Sequence, residues 1–286
     1  MLGWRLVLGP ILIAALVGLF WADARLGTSA LVLGGLAAAL AWRSTWELVE
    51  LARDRRKLQL PLLVVCVLAV VLSNWAWQLL PGTAETGASD LVRLGPVALV
   101  YGLAAMGLFI SHLSRYQAPG ETVEILGAEL LALTYVGMFV SLTLQLRWID
   151  VAGQGYLPLS TLIVATKCGD TSAYFTGRWL GKRKLCPVIS PGKTRAGGVG
   201  ALVGAAAGTW AWFTWAGPGL FGIAPGSTVA ILAYGLVLGL VGLIGDLAES
   251  LLKRDLGKKD SAPLLPGFGG LLDLLDSIIF TGPLAY

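Results

Sequence analysis

Charged residues are scarce in this chain. Only 13% of its 286 residues are Asp, Glu, Lys or Arg, whereas 56% are hydrophobic, and the mean hydropathy is +0.76. About a quarter of the residues in a soluble globular domain are charged. The composition therefore excludes an ordinary soluble domain. It indicates a protein that crosses a membrane several times, because each run of about 20 apolar residues is long enough for one spanning helix.

Cysteine and histidine are also rare. The three cysteines, Cys66, Cys168 and Cys186, are far apart, form no CxxC pair and have no histidine near them. This pattern argues against a disulfide framework or a zinc site. The apolar runs are continuous and do not alternate, which favours helices over a transmembrane barrel. The basic residues lie in loops beside these runs, so they indicate membrane topology and not nucleic-acid binding.

The hydropathy pattern predicts an all-α, polytopic integral membrane protein with about nine spans and a polar cavity that faces the cytoplasm. The predicted spans are residues 2–21, 26–42, 60–80, 91–113, 123–146, 156–179, 196–216, 220–247 and 269–286. Clusters of Lys and Arg follow the second, sixth and eighth spans, which places these loops and the N-terminus in the cytoplasm. We expect residues 1–150 to form a scaffold and residues 151–286 to form a catalytic region.

Two features of the N-terminal half carry charge. Residues 44–59 mix apolar and charged side chains, which predicts either an amphipathic helix on the cytoplasmic surface or, as the favoured alternative, a positively charged anchor. Glu129 lies about two turns into the fifth predicted span and is a candidate for a group that faces a polar cavity. His112, near the end of the fourth span, is expected to be interfacial.

Residues 167–200 resemble an anion-binding design. Asp170 lies in an apolar run, and a basic loop rich in Gly and Pro then leads into a helix. Backbone N–H groups of the loop and of the helix N-terminus would face a phosphate, with charge from Lys193 and hydroxyls from Ser190 and Thr194. The spacing is not that of a P-loop. A basic loop that binds no ligand is an equal alternative.

Residues 245–277 concentrate carboxylates and cations between two apolar runs. Their spacing places two polar sets, each on one face of a helix. The sets are Asp246, Glu249, Ser250 and Lys253 on the first helix, and Asp273 and Asp276 on the next. Carboxylates from two helices suit Mg²⁺, which completes its shell with water and substrate phosphates, while nearby cations bind the polyphosphate. An intrahelical salt bridge between Glu249 and Lys253 and the ion path of a transporter are the alternatives.

These motifs resemble the signature of the phosphatidate cytidylyltransferases, or CDP-diacylglycerol synthases. The sequences GDLAES, SLLKRDLGKKD, PGFGG and DLLD are similar to the family's GDxxES, SxxKRxxxxKD, PGHGG and DRxD. Upstream, DTSAYFTGRWLGK and ISPGKT are similar to DxxAYxxGRxxGK and SPKKT. The resemblance covers roughly the last 120 residues, and the first 150 agree only in hydropathy and span pattern.

The resemblance implies that CTP and phosphatidate give CDP-diacylglycerol and pyrophosphate, in phospholipid biosynthesis at the bacterial cytoplasmic (inner) membrane. It implies catalytic roles for Asp246, Asp273 and Lys193, and a Mg²⁺ shell of Asp246, Asp273 and Asp276. The residues expected to bind substrate are Asp170, Tyr174, Arg178, Ser190, Thr194, Glu249, Ser250, Lys253, Arg254, Lys259, Asp260, Gly269 and Gly270. The expected partners are CTP, phosphatidate or a related lipid phosphate, and membrane lipid, without nucleic acid. A homodimer is left open.

Three positions depart from the family pattern. Phe268 stands in place of a histidine, Leu274 in place of an arginine and Ala196 in place of a glutamate. Phe268 removes a phosphate contact, and Leu274 removes a cation beside the predicted metal site. A changed lipid substrate, a slow enzyme and an inactive relative are therefore open. So are two other functions: a CTP-dependent kinase of a polyprenol or another lipid alcohol, and a non-catalytic membrane protein that binds anionic lipid.

Overall fold

The computed structural model of the chain describes residues 2–79, 90–149, 155–222, 224–264 and 269–286. The helices are α1 (Leu2–Arg25), α2 (Leu31–Ala52), α3 (Leu60–Leu72), α4 (Asp90–Arg115), α5 (Thr122–Ala132), α6 (Phe139–Gln145), α7 (Leu157–Leu180), α8 (Arg195–Ala211), α9 (Gly217–Phe221), α10 (Thr228–Asp255) and α11 (Leu271–Ala285). Two strands, β1 (Lys184–Cys186) and β2 (Ser190–Thr194), form an antiparallel hairpin between α7 and α8. Helical turns of other pitch continue several helices, at Ser73–Leu79, Leu133–Met138, Leu146–Trp148 and Trp212–Ala216.

Within the described residues, five helical segments are long and apolar enough to cross a membrane. They are Leu8–Arg25, Leu60–Leu79, Val92–Arg115, Thr122–Trp148 and Thr228–Asp255. These segments correspond to the first, third, fourth, fifth and eighth predicted spans, so the class of helical membrane protein is confirmed. The other four predicted spans correspond to α2, α7, α8 and α11, which are not among these five segments. The count of about nine spans therefore stays a prediction. The short hairpin was not predicted.

Two helix boundaries differ from the prediction. Helix α2 continues without a break to Ala52, so most of the predicted surface segment belongs to the second apolar run. Glu47 within it is only 1% exposed, so this part of the segment is not a solvated surface face. The positively charged anchor formed by the basic residues after Ala52 stays a prediction. Helix α10 begins at Thr228 and not at residue 220, because Gly222 adopts a left-handed conformation (φ 67°) that ends α9.

The chain forms two units. One consists of Met1–Gln145 and Asp260–Leu274, and the other of Leu146–Lys259 and Leu275–Tyr286. In the first unit, α2 packs on α3 and α3 packs on α4. In the second unit, α7 and α10 both pack on α8. The predicted boundary between residues 150 and 151 lies outside the described residues, and the division into scaffold and catalytic region stays a prediction.

A buried polar cluster joins three helical segments of the first unit. Glu129 of α5 is fully buried and accepts a hydrogen bond from the backbone N–H of Gln59 at 2.7 Å. Its other carboxylate oxygen lies 2.8 Å from Nε2 of His112 on α4. The Ser111 hydroxyl donates to the Gln59 side chain at 2.7 Å. A buried carboxylate persists when it is paired in this way. Glu129 therefore ties segments together and does not face a polar cavity.

Glycines bring α8 and α10 into close contact in the second unit. A Cβ added at Gly235 would lie 2.7 Å from Cα of Ala206, and one added at Gly239 would lie 2.7 Å from Cβ of Ala205. Real Cβ atoms do not approach other atoms this closely, so a larger side chain would push the helices apart. Small residues allow backbones to approach in membrane helices. Gly235 and Gly239 therefore serve the close packing of α10 on α8.

Candidate active site

A cavity of about 400 Å³ lies among α7, the hairpin, α8 and α10 of the second unit. This volume is within the usual range for small-molecule sites, about 300–1,000 Å³. Six residues predicted for the site line the cavity: Asp170, Tyr174 and Arg178 from α7, Lys193 and Thr194 from β2, and Asp246 from α10. The fold therefore brings together the motif of α7, the hairpin loop and the first carboxylate of the C-terminal motif.

Lys193 and Asp246 form an ion pair in the cavity lining. The Lys193 Nζ lies 2.8 Å from Oδ2 of Asp246, and the two side chains are 18% and 35% exposed. Partial removal from water strengthens the attraction between them relative to a surface pair. An anion entering the cavity would compete with Asp246 for the lysine, and a cation would compete with Lys193 for the carboxylate. The pair therefore offers both a cation and a carboxylate to a ligand in the cavity.

Helix α7 contributes two further polar pairs. Asp170 accepts a hydrogen bond from Nζ of Lys167 at 3.0 Å, and Arg178 donates to the hydroxyl of Tyr174 at 3.0 Å. Both pairs link residues about one turn apart on the same helix, and such pairs stabilise a helix modestly. All four side chains are partly or fully exposed. The α7 wall therefore presents a carboxylate and a guanidinium to the cavity.

Thr194 ends β2 and caps α8. Its side-chain oxygen accepts a hydrogen bond from the backbone N–H of Gly197 at 3.1 Å, and the residue is 7% exposed. A Thr N-cap satisfies one of the unpaired donors of the first helical turn. At least one N–H group that was expected to face a phosphate is thus held by Thr194 itself. Ser190 lies at the other end of β2, opposite Cys186.

The next turns of α10 contain a buried ion pair. Lys253 donates to Glu249 at 2.6 Å, and their side chains are 11% and 1% exposed. The intrahelical salt bridge, considered as an alternative to substrate binding, is therefore confirmed. Ser250 is also buried, on the same helix. The substrate role of these three residues stays a prediction.

Arg254 closes the end of α10. Its Nε donates to the carbonyl of Ile189 at 3.3 Å, and its Nη1 donates to the carbonyl of Lys258 at 3.1 Å. The guanidinium thus joins α10 to the turn of the hairpin that carries Lys193. Lys259 and Asp260 follow and are exposed. The predicted role of Lys259 and Asp260 in substrate binding stays a prediction.

Asp276 lies on α11 within the second unit and is 5% exposed. Its carboxylate accepts a hydrogen bond from the Ser277 hydroxyl at 3.1 Å. A Cβ added at Gly245, the residue before Asp246, would lie 3.1 Å from the backbone carbonyl oxygen of Asp276. Asp276 therefore lies beside the turn of α10 that carries Asp246.

Asp273 lies in the first unit, where it closes the start of α11. Its Oδ2 accepts hydrogen bonds from the backbone N–H groups of Gly270 and Ser261 at 2.7 and 2.9 Å. A carboxylate three residues into a helix that bonds back to the N-cap is half of a capping box. Gly269 has φ 91°, which favours glycine, and brings the backbone against this carboxylate. The predicted meeting of Asp273 with Asp246 stays a prediction, since they belong to different units.

Glu47 also bonds to the start of α11, and the sequence did not reveal it. Its carboxylate oxygens accept hydrogen bonds from the backbone N–H groups of Leu271 and Leu272 at 3.0 and 2.9 Å. Nε of Arg43 lies 3.1 Å from the same carboxylate. The partners are 224 and 225 residues away along the chain. The sequence signal near Glu47 was its spacing of four residues from Arg43, which places the two side chains on one face of the helix.

The carboxylates of the cavity suit a metal ion that arrives with its substrate. Among the described residues, no group of three or more His, Cys, Asp or Glu side chains is arranged to hold a metal. The cavity wall has two carboxylates, Asp170 and Asp246. Mg²⁺ commonly uses one or two carboxylates and takes its other ligands from water and phosphates. The donor set therefore fits Mg²⁺ bound with a nucleotide. Pro266, Gly267 and Phe268 of the motif lie outside the described residues.

These features define a helical membrane protein with a charged, ligand-sized cavity. The model of the cytidylyltransferase family matches residues 4–286. The chain belongs to the cytidylyltransferase family. The family assignment made from the motifs is thereby confirmed, and the match extends over the N-terminal half, where the motifs gave only a similar hydropathy.

Bacterial relatives support this assignment. The chain is 35% identical over 210 residues to a phosphatidate cytidylyltransferase of Synechocystis. The aligned region covers 63% of this chain and 67% of that protein. The chain is 30% identical over 251 residues to a phosphatidate cytidylyltransferase of Haemophilus influenzae, covering 86% and 85%. It is 40% identical over 132 residues to the Escherichia coli protein YnbB, covering 46% and 42%.

Proposed function

We propose that this protein transfers the cytidylyl group of CTP to phosphatidate and forms CDP-diacylglycerol and pyrophosphate. The observation that carries the proposal is the ion pair of Lys193 and Asp246 in the cavity. These residues come from two separate motifs of the family signature and meet where a phosphate and a metal would compete for them. Membership of the cytidylyltransferase family and the similarity to two phosphatidate cytidylyltransferases support the same reaction.

The reaction brings two anions together. An oxygen of the lipid phosphate attacks the α-phosphorus of CTP, the bond from this phosphorus to the oxygen of the β-phosphate breaks, and pyrophosphate leaves. Lys193 and Arg178 supply positive charge in the cavity, which lowers the repulsion and stabilises the charge of the transition state. Asp246 holds Lys193 in place before the phosphates arrive.

A metal ion would assist the transfer reaction in the same cavity. When bound, Mg²⁺ would neutralise the triphosphate and polarise the phosphorus. Asp246 is the central residue of the proposed metal shell. The motif adds Asp273 and Asp276 to this shell, and the cavity wall offers Asp170 as a further carboxylate. Because Asp246 is 35% exposed, it can exchange its lysine partner for a cation without unfolding the wall.

Product analysis tests the function. Purified protein in detergent micelles is incubated with radiolabelled CTP, Mg²⁺ and phosphatidate. The proposal expects a labelled CDP-lipid and pyrophosphate. A lipid alcohol kinase would instead give CDP and a lipid phosphate from a polyprenol. CTP binding without any product would indicate the non-catalytic function.

The topology is proposed with the N-terminus in the cytoplasm, about nine spans and a bacterial inner-membrane location. The first prediction is that Lys193 and Lys258 lie on the same, cytoplasmic face, because both lie in cation-rich segments, and that Tyr286 lies outside. Single cysteines placed at these positions are labelled from either side of the membrane. Labelling of the two lysine positions from opposite sides contradicts the proposed topology. Cross-linking of the same variants tests the homodimer.

The second prediction concerns the departures from the family pattern. Restoring the family residues with Phe268→His and Leu274→Arg should raise kcat/KM for phosphatidate about ten- to hundredfold. A charge-assisted hydrogen bond is worth roughly 1.5–3 kcal/mol, and it accelerates the reaction when it tightens in the transition state. Steady-state kinetics with phosphatidate and with a polyprenyl phosphate measure the change. An unchanged or lower rate on phosphatidate shows that these positions serve another lipid or that an added charge is left unpaired.

A further inference from the structure

Two carboxylates hold the first turn of α11. The first N–H groups of a helix have no partner within it. The N–H of Gly270 donates to Asp273 at 2.7 Å, whereas the N–H groups of Leu271 and Leu272 donate to Glu47 at 3.0 and 2.9 Å. The turn that presents Asp273 is therefore fixed from α2 and not only by capping within α11.

Ser261 couples the two carboxylates. Its hydroxyl oxygen lies 3.0 Å from Oε2 of Glu47 and 2.8 Å from Oδ2 of Asp273, and the residue is 5% exposed. A hydroxyl has a single hydrogen, so it donates to one carboxylate at a time. A Cβ at Gly270 would collide with the Ser261 hydroxyl and with Glu47, so glycine at this position allows the cluster to close. Moving Glu47 would thus change the hydrogen bonding of Asp273.

Glu47 has the properties of a residue that orients others. It is 1% exposed, so it is screened from a dissolved substrate, and Arg43 partly compensates its charge at 3.1 Å. A negative charge beside a helix N-terminus is favourable, since the helix dipole is positive there. A buried carboxylate that accepts several hydrogen bonds has a well-defined orientation. Its partners are therefore held in one arrangement.

We propose that Glu47 is a positioning residue for cytidylyl transfer: it fixes the first turn of α11 and so the direction in which Asp273 presents its carboxylate. The proposal rests on the proposed function, because the catalytic role of Asp273 is inferred from the resemblance of its motif to the family signature. Glu47 lies outside every stretch that resembles the family signature. The inference depends on the hydrogen bonds to Leu271 and Leu272 and on the shared Ser261.

The test compares Glu47→Gln and Glu47→Asp with Glu50→Gln. Glu50 lies on the same helix, is 54% exposed and pairs with Arg53, so it serves as the matched control. Glu47→Gln removes the charge, whereas Glu47→Asp keeps it and withdraws the carboxylate by one methylene. Both should lower kcat about ten- to hundredfold with little change in the KM for CTP, as is typical when residues behind a ligand are altered. If one variant does not fold, the other carries the test.

Amide hydrogen exchange provides a readout that needs neither substrate nor metal. Exchange in the peptide that contains Leu271 and Leu272 should become about tenfold faster or more in both Glu47 variants, because a charge-assisted hydrogen bond is lost or weakened. Glu50→Gln should change neither exchange nor kcat. Unchanged exchange overturns the proposed hold on α11. Faster exchange with an unchanged kcat overturns the positioning role. A wild-type protein that forms no CDP-lipid overturns the function itself, and the exchange measurement still decides whether Glu47 holds the turn.

Discussion

Asparagine in place of Asp246 should reduce cytidylyl transfer about a hundred- to thousandfold, the usual cost of removing one group that stabilises transition-state charge. The substitution keeps the shape of the side chain and removes its charge. It therefore removes a carboxylate from the proposed Mg²⁺ shell and leaves Lys193, which is 18% exposed, without its anionic partner at 2.8 Å. Both losses act in the same cavity, so the effect on the rate should exceed that of any single hydrogen bond.

The matched control for this substitution is Asp255→Asn. Asp255 lies at the end of the same helix and is exposed. The control should retain nearly full activity, and both variants should elute from size exclusion in detergent as the wild type does. Initial rates at several Mg²⁺ concentrations separate the two contributions, since loss of a metal ligand raises the Mg²⁺ requirement and loss of the ion pair alone does not. Wild-type rates in Asp246→Asn contradict its place in the site.

Asp246 gives a cleaner test than Asp273. Asp273 accepts hydrogen bonds from Gly270 and Ser261 at the start of α11. Asn at this position would disturb the first turn of the helix as well as any metal contact. A loss of activity in Asp273→Asn would therefore have two explanations, whereas Asp246 makes no such backbone contact among those the structure describes.

The lining of the cavity was largely predictable because its chemistry is local. Asp170, Tyr174 and Arg178 recur at turn spacing on one helix, and Lys193 stands in a basic loop before a helix. Each pattern identifies the type of chemistry from a few neighbouring residues. Hydropathy likewise located the apolar helices, since a spanning helix is defined by its own composition.

The contacts of Glu47 and the capping role of Asp273 were not predictable in this way. A glutamate among charged residues at the end of an apolar run has the pattern of a solvated helix face, and its burial depends on a segment 224 residues later. Turn spacing placed Asp273 beside Asp276, but it did not show that the first accepts backbone hydrogen bonds of its own helix. Long-range packing decides the role of Glu47, and the turn geometry at Gly269 and Gly270 decides that of Asp273. Helical periodicity contains no information on either.

Valine in place of Gly239 should destabilise the second unit and abolish its cavity. A Cβ at this position would lie 2.7 Å from Cβ of Ala205 and 3.1 Å from the carbonyl oxygen of Ala201. Overpacking costs about 1–3 kcal/mol, and the upper end applies here because backbone atoms cannot turn aside as side chains do. The melting temperature should fall by roughly 6–12 °C, at about 2–4 °C for each kcal/mol. Thermal unfolding in detergent measures this change.

The control for Gly239→Val is Gly102→Val on α4. A Cβ at Gly102 would meet no atom within 4 Å, so this variant introduces the same β-branched residue into a helix without the collision. Any difference between the two melting temperatures therefore reports the contact of α10 with α8. Gly239 also lines the cavity, so its variant should lose CTP binding even below the melting temperature. Equal melting temperatures would mean that α8 and α10 are not in the close contact described. Normal CTP binding by Gly239→Val would place the nucleotide outside this cavity.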